Sequence, residues 1–319
     1  MLVFNDQIEH ANLTEKEIRE LKKNRIDYTG KTCLTEKDLI NYAHDADIIL
    51  DQGQIKITRK AIESLPKLKA ILRRGMGYDN VDIKAAAERG ICVSNTPGFC
   101  TEEVSTQAVS LLLSFIRKIP MYHNDVMAGK WDGSKSTFGY EGMESLLDET
   151  VGIIGFGSIG TRVYEKLEPF KVNFLIFDPY VNINEKKNLK KVELEEVLSK
   201  AKYIILCCGL TKETFHMIDK EQFELLRIDT VIINVGRGKL INEEILVDYL
   251  KKKKIAGAAM DVFEKEPLGK KNPLFSLDNV ILSPHNAGIS CKSKELSFRM
   301  SVDEIIRIAT GKAPACRVN

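Results

Sequence analysis

Three segments in the later half of the chain hold residues able to move a proton and grip an anion. Ile233-Asn234-Val235-Gly236-Arg237-Gly238 ends an apolar run on a glycine-flanked arginine. Asp261-Val262-Phe263-Glu264-Lys265-Glu266-Pro267 supplies a cluster of acids, and Leu282-Ser283-Pro284-His285-Asn286-Ala287-Gly288 supplies a histidine. A histidine titrates near neutral pH and suits a general acid or base. A carboxylate beside it favours the imidazolium. A guanidinium binds a carboxylate, or polarises a carbonyl, with paired donors. Ligands of open α/β sheets sit beyond the carboxyl ends of the strands, so Arg237, Glu266 and His285 are expected at one pocket. Each has a plain alternative: a turn histidine after Pro284, an arginine capping a helix, a solvated glutamate before Pro267. Taken singly, those alternatives stay open.

A second kind of chemistry lies upstream. Val151-Gly152-Ile153-Ile154 runs as an apolar strand into Gly155-Phe156-Gly157-Ser158-Ile159-Gly160 and then a helical pattern. In this G-x-G-x-x-G arrangement, Gly155 permits a tight turn and Gly157 lets backbone approach a pyrophosphate. Gly160 lets the helix pack on the strand. The helix N-terminus presents N–H groups to phosphate charge. Asp178 follows the next strand, eighteen residues beyond Gly160. A carboxylate there accepts from ribose hydroxyls and repels a 2′-phosphate, which favours NAD over NADP. The alternative is a turn-forming Asp before Pro179.

The elements that must position these residues alternate. In the first third, residues 1–4, 47–50, 70–72 and 91–93 read as short strands. Residues 14–23, 58–65 and 83–89 read as helices, with Thr14 and Glu17 as a capping box. Thr96-Pro97-Gly98 breaks the pattern, and residues 102–117 read as one long buried helix. Residues 121–150 hold the only tryptophan, Trp131. They read as an excursion between domains, an oligomer contact or a local loop. From residue 151, six candidate strands follow at 151–154, 172–177, 203–206, 231–234, 255–260 and 280–282. A last helix over 292–310 returns to the first domain. Strands alternating with helices imply parallel sheets covered by helices.

A chain of 319 residues with 44% hydrophobic and 29% charged residues suits two globular domains. Its formal net charge of +2 gives no basic face for nucleic acid. The basic run from Lys251 to Lys254 follows a helical pattern and reads as a solvated helix end. Seven cysteines without metal-ligand spacing suggest no metal and a reducing, cytoplasmic setting. The first ten residues read as no signal peptide, and no apolar run reaches membrane-span length.

From about Leu68 to Gly288 the chain resembles the D-isomer-specific 2-hydroxyacid dehydrogenase family. The resemblance rests on Arg74-Gly75-Met76-Gly77-Tyr78-Asp79-Asn80, Asn95-Thr96-Pro97-Gly98, the glycine loop and the three segments above. It implies an α/β fold of two doubly wound parallel-sheet domains. A Rossmann NAD domain, residues 99–286, is inserted into a flavodoxin-like substrate domain, residues 1–98 plus 287–319. It implies NAD-dependent hydride transfer between nicotinamide and a small 2-hydroxy or 2-keto acid. Arg237 would bind substrate, Glu266 would hold the proton of His285, and His285 would be the acid/base. Backbone N–H groups of Met76 and Gly77 would meet the substrate carboxylate. Ser158, Ile159, Cys208, Gly209, Thr214, Val235, Gly236 and Asp261 would contact the cofactor, with Asp261 on the carboxamide. A homodimer is expected, with neither nucleic acid nor membrane as partner. Closure on ligands is expected, with hinges near 95–101 and 288–294.

Departures from the family pattern accompany the resemblance. Cys207-Cys208-Gly209-Leu210-Thr211 replaces the His and Pro of many relatives, Asn286 replaces an apolar residue, and Thr106 replaces a frequent acid. Arg73 and Arg74 beside the carboxylate loop admit a second anionic group such as a phosphate, or a structural pair. The histidines at 10, 44, 123 and 216 have no such surroundings. One alternative activity is a short phosphoglycerate dehydrogenase, without serine feedback through a further domain. Formate or phosphonate oxidation is another. An NAD-sensing corepressor is a third, since Phe99-Cys100-Thr101-Glu102-Glu103-Val104 resembles that branch.

Overall fold

Short strands of three or four residues, most of them apolar, make the first sheet. They are β1 (Leu2–Asn5), β2 (Asp27–Gly30), β3 (Ile48–Asp51), β4 (Ala70–Arg73) and β5 (Cys92–Ser94). The computed structural model describes residues 1–131 and 143–319. It divides into two units, residues 1–99 with 290–319 and residues 100–289. In the first unit the strands are all parallel, in the order β2-β1-β3-β4-β5, a flavodoxin-like arrangement. Side chains on both faces are buried, as a parallel sheet under helices requires. Ile48, Ile49 and Leu50 are fully buried. The helix Glu15–Lys23 begins at Thr14, whose hydroxyl accepts from the Glu17 N–H while the Glu17 carboxylate accepts from the Thr14 N–H. The helix Cys291–Ala309 places Phe298, Val302 and Ile305 against Leu50 and Leu72. Each such side chain contributes about 2 kcal/mol of burial.

Two elements of this unit carry no apolar signal. Strand β2, Asp-Tyr-Thr-Gly, lies at the sheet edge with alternating exposure, so it needs only a half-buried face. The helix Glu36–Tyr42 is too short for a clear periodicity, but Thr35 and Asp38 form its capping box.

Among its described residues the second unit has seven parallel strands: β6 (Thr150–Ile154), β7 (Asn173–Phe177), β8 (Leu189–Lys191), β9 (Tyr203–Leu206), β10 (Val231–Asn234), β11 (Gly257–Met260) and β12 (Val280–Leu282). Their order, β12-β11-β10-β9-β6-β7-β8, is the dinucleotide-binding order extended by one strand. The order reverses between β6 and β9, which opens a crevice beyond their carboxyl ends. The expected six strands become seven because β8, Leu-Lys-Lys, is a polar edge strand. The long helix runs Thr101–Ile116, and Lys118 at φ 51° separates it from a second helix, Ile119–Met127. The stretch expected as an excursion or loop over 121–150 thus begins inside a helix, and its residues 132–142 lie outside the described residues. Among the described residues no helix is long and apolar enough to cross a membrane.

Candidate active site

The glycine loop follows from close approach of backbones. β6 is followed by Gly155, φ 89°, where a Cβ would stand 2.7 Å from the Cys208 backbone nitrogen. Only glycine fits that turn. Gly157 starts the helix Ser158–Leu167, no side chain caps that helix, and nothing lies within 4 Å of the position a Gly157 Cβ would take. Ser158 is exposed, Ile159 half-buried and Gly160 buried beneath the loop. An uncapped first turn beneath a bare glycine fits a pyrophosphate, because N–H groups and helix dipole both favour the anion.

Asp178 closes this loop from the end of β7. Its Oδ2 accepts from Phe156 N–H at 2.7 Å, and its Oδ1 accepts from Tyr180 and Val181 N–H at 2.9 and 3.2 Å. Asp178 therefore shapes its own turn as well as the glycine loop. Half-buried, it keeps acceptor capacity on both oxygens.

The ends of β9 and β10 complete the floor. Gly236 packs so tightly that a Cβ would stand 2.7 Å from the Cys208 carbonyl oxygen, and Val235 is buried beside it. Burial pushes the Cys208 thiol up to about 12, so it stays neutral and packs against Met217 sulfur at 3.8 Å. Gly209 is exposed. Thr214 donates to the Gly209 carbonyl at 2.8 Å and accepts from Thr211 N–H at 2.7 Å, which fixes the turn after β9. Where the family often has an acid, Thr106 accepts from Lys166 Nζ at 2.8 Å.

Arg237, Glu266 and His285 come together. His285 Nδ1 lies 2.6 Å from Glu266 Oε2, and Glu266 Oε1 accepts from Phe263 N–H at 2.9 Å. Burial pushes the Glu266 carboxyl up. Hydrogen bonds from His285 and Phe263, with the charges of His285 and Arg237, outweigh that and hold it below the ordinary glutamate value. Arg237 is half-buried at the end of β10, where Asn234 Nδ2 donates to its carbonyl at 2.9 Å. Its Nη1 donates to the Gly236 carbonyl at 2.9 Å. The His285 side chain is 48% exposed, and among the described residues its Nε2 has no partner. The dyad thus presents one ring nitrogen outward while a carboxylate holds the other.

Asp261 explains how an exposed histidine is held. It is fully buried after β11. Its carbonyl accepts from His285 N–H at 2.8 Å, and its carboxylate accepts from Ser283 Oγ (2.6 Å), Asn286 N–H (3.1 Å) and Ala287 N–H (2.9 Å). Three consecutive amides are thereby gripped by one residue. They hold His285 at φ 52°, a left-handed conformation that costs on the order of 1 kcal/mol or more. Asn286 takes part through its backbone, with its side chain exposed.

In the first unit, Gly75-Met76-Gly77 forms the turn after β4. Thr96 N–H donates to the Gly75 carbonyl at 3.1 Å and Asn95 Nδ2 to the Met76 carbonyl at 2.8 Å. Met76 and Gly77 are half-buried. Arg73 faces Asp51, Nε to Oδ2 at 3.5 Å, and Arg74 lies over the Phe298 ring at 4.1 Å. Both arginines have structural partners, and each keeps one buried nitrogen, Arg73 Nε and Arg74 Nη1, without a hydrogen bond among the described residues.

One pair escaped sequence reasoning. His216 Nε2 lies 2.8 Å from Glu264 Oε1, although 48 residues separate them. The signal was the second acid of Asp261-Val262-Phe263-Glu264-Lys265-Glu266, but nothing in the sequence marked its partner.

Comparison with known proteins agrees with this architecture. Residues 109–287 match the family model described as D-isomer specific 2-hydroxyacid dehydrogenase, NAD binding domain. The chain is 35% identical over 302 residues to a D-3-phosphoglycerate dehydrogenase of Archaeoglobus fulgidus, covering 94% of this chain and 56% of that protein. It thus spans just over half the length of the phosphoglycerate dehydrogenases it matches. It is 33% identical over 290 residues to a glyoxylate reductase of Korarchaeum cryptofilum, covering 89% of this chain and 86% of that protein. Among solved structures, an NAD-dependent formate dehydrogenase from Staphylococcus aureus in complex with NAD superposes with a TM-score of 0.88 at 26% identity, covering 98% and 97% of the two chains. An NADPH-dependent glyoxylate/hydroxypyruvate reductase from Sinorhizobium meliloti in complex with NADP and malonate gives 0.84 at 26% identity, covering 99% and 96%. The chain belongs to the D-isomer-specific 2-hydroxyacid dehydrogenase family.

Proposed function

We infer that this chain is an NAD-dependent oxidoreductase interconverting a small 2-hydroxy acid and its 2-keto acid. One observation carries the reading: the 2.6 Å His285–Glu266 dyad, biased by Arg237, stands on the same sheet as an uncapped glycine loop. When bound, NADH supplies a hydride to the carbonyl carbon. His285 Nε2 donates a proton to the carbonyl oxygen and takes it back in the reverse direction. Glu266 stays ionised and holds the imidazolium by its other nitrogen. Arg237 grips the substrate carboxylate. The Met76 and Gly77 amides are the second candidate contact to that carboxylate. Asp261 keeps His285 in place. A contact from Asp261 to the carboxamide belongs to the same reading, as do cofactor contacts from Ser158, Ile159, Cys208, Gly209, Thr214, Val235 and Gly236. Asp178 favours NAD, because a 2′-phosphate beside its carboxylate is repelled.

The structural engagement of Arg73 and Arg74 supports an unphosphorylated acid such as glyoxylate over a phosphorylated one. Exposure of Ile119, Val126, Met127 and Trp131 supports the homodimer. Of the corepressor-like run, Cys100 and Val104 are buried while Glu102 is exposed and ion-paired with Arg162, which favours a structural role for that run.

NADH oxidation measured with glyoxylate, pyruvate, hydroxypyruvate, 3-phosphohydroxypyruvate and oxaloacetate tests the reading. Turnover on glyoxylate or another unphosphorylated acid, with kcat/KM higher for NADH than NADPH, is expected. No turnover on any of the five contradicts the activity. Higher kcat/KM with NADPH contradicts the role of Asp178.

A further inference from the structure

The carboxyl ends of β1, β3 and β4 lay three charged side chains side by side. Asn5 pairs with Leu50 and Asp51 with Arg73 in the parallel register, so Asp6, following Asn5, stands beside Asp51. Asp6 and Asp51 are fully buried, and the Arg73 side chain is 16% exposed. The two carboxyls are unequally served. Asp51 accepts from Gly53 N–H at 2.9 Å and Asn80 Nδ2 at 3.0 Å, and it faces Arg73. Asp6 Oδ1 accepts from Gln52 N–H at 3.0 Å, but Asp6 Oδ2 is buried without a donor among the described residues. An unserved buried carboxylate oxygen beside a second carboxylate is costly. A proton on it removes one charge and supplies a hydrogen bond. Burial first, then the charge of Asp51, pushes the Asp6 carboxyl up to about 8, although the Gln52 N–H and Arg73 pull the other way.

Arg73 carries this arrangement to the Gly75–Gly77 turn. A Cβ on Gly53 would stand 2.7 Å from Arg73 Nε, and one on Gly75 would stand 2.8 Å from Arg73 Nη1. The guanidinium is therefore wedged between two glycine backbones, and its Nη1 donates to the Arg74 carbonyl at 2.5 Å. Asn95 and Thr96 hold the turn through the Met76 and Gly75 carbonyls.

We propose that Asp6, Asp51 and Arg73 form a proton-linked strut that positions the Gly75–Gly77 turn for the carboxylate of a 2-keto acid. This rests on the reading of that turn as a carboxylate contact. With Asp6 protonated, Asp51 and Arg73 balance and the trio is neutral. Loss of the proton leaves a net negative charge that competes for Arg73 and repels an arriving carboxylate. The other groups facing Asp6 are Arg74, after β4, and Cys33, after β2. Arg74 is lowered to about 10 by burial and the charge of Arg73. The Cys33 thiol is pushed up to about 12 by burial and then by Asp6. Asp6 changes charge between about pH 7 and about pH 9, and Asp6, Asp51 and Arg73 act as positioning residues.

Two readouts test the strut. Carbon-13 spectra of aspartate-labelled protein should show one carboxyl titrating near the value above, absent from Asp6→Asn and returned towards the ordinary range in Asp51→Asn. The KM for glyoxylate should rise on the order of tenfold from about pH 7 to about pH 9, while the KM for NADH does not. Asp6→Asn, whose amide can still donate to Asp51, should flatten that rise. Ordinary titration of every aspartate overturns the shared proton. An equal KM rise in Asp6→Asn, or none in the wild-type protein, overturns the link to the turn. Absence of turnover on every 2-keto acid overturns the proposed function and the link together, while the carboxyl titration, independent of activity, still decides the proton.

Discussion

The second unit holds two histidine–glutamate pairs at similar distances; His285 is hydrogen-bonded to Glu266, whereas His216 Nε2 has no hydrogen-bond partner among the described residues. His285 and Glu266 meet at 2.6 Å and His216 and Glu264 at 2.8 Å, and both histidines sit at positive φ, 52° and 49°. Their surroundings differ. Glu264 is tied into the start of the helix Glu243–Lys251. It accepts from Glu243 N–H at 2.9 Å, and its own N–H donates to Glu243 Oε2 at 3.0 Å. The His216 ring stacks on Phe215 at 4.1 Å, and its side chain is 22% exposed against 48% for His285. The first pair is gripped through backbone amides by Asp261, and its outer ring nitrogen faces outward from an exposed side chain. The second pair spends its side chains on local structure. A short His–Glu contact is thus common to both, and an outward nitrogen with a cation nearby distinguishes the candidate catalytic dyad.

The difference can be broken from either side. Arg237→Met should have the largest effect among neighbours of the first pair, lowering kcat/KM on the order of 1,000-fold. The substrate anion and the biased carboxylate both lose their cation. Recovery of more than a tenth of activity by the methionine variant would remove Arg237 from the substrate site. Glu266→Gln should lower kcat by about 100-fold, because a neutral amide no longer holds the imidazolium. KM for NADH should not move, and a loss confined to NADH affinity would contradict the dyad.

Acid tests the first pair directly. The Glu266 carboxyl is held below its ordinary value, so its contribution to stability is present above that value. It is lost as pH falls through the lowered folded value. Thermal melts of wild-type protein and Glu266→Gln should converge in that acid window, and a constant gap would contradict the assignment. Smallest of all should be Glu264→Gln. We expect kcat within about twofold of wild type and a stability loss of about 1 kcal/mol from the hydrogen bonds at the helix start. A kcat loss matching that of Glu266→Gln would erase the distinction.

The same contrast marks what was legible in the sequence. Gly155, Gly157, Asp178, Arg237, Glu266 and His285 lie in short motifs that mark them as candidates, the fold brings the last three together, and the central strands are apolar on both faces. Strands β2 and β8 were not legible, because an edge strand buries too little to need apolar residues. The grip of Asp261 on three amides of the histidine turn depends on β11 and β12 lying side by side in register. The Asp6–Asp51–Arg73 row depends likewise on three strand ends meeting across a sheet. His216 and Glu264 are paired by tertiary folding across 48 residues, so no local pattern announces them.

The most direct test is steady-state oxidation of NADH with glyoxylate by His285→Asn and His216→Asn, with NADH binding followed by fluorescence. His285→Asn should lose turnover while still binding NADH, and His216→Asn should keep it. Equal loss in both variants, or loss of NADH binding together with turnover in His285→Asn, would contradict His285 as the proton carrier.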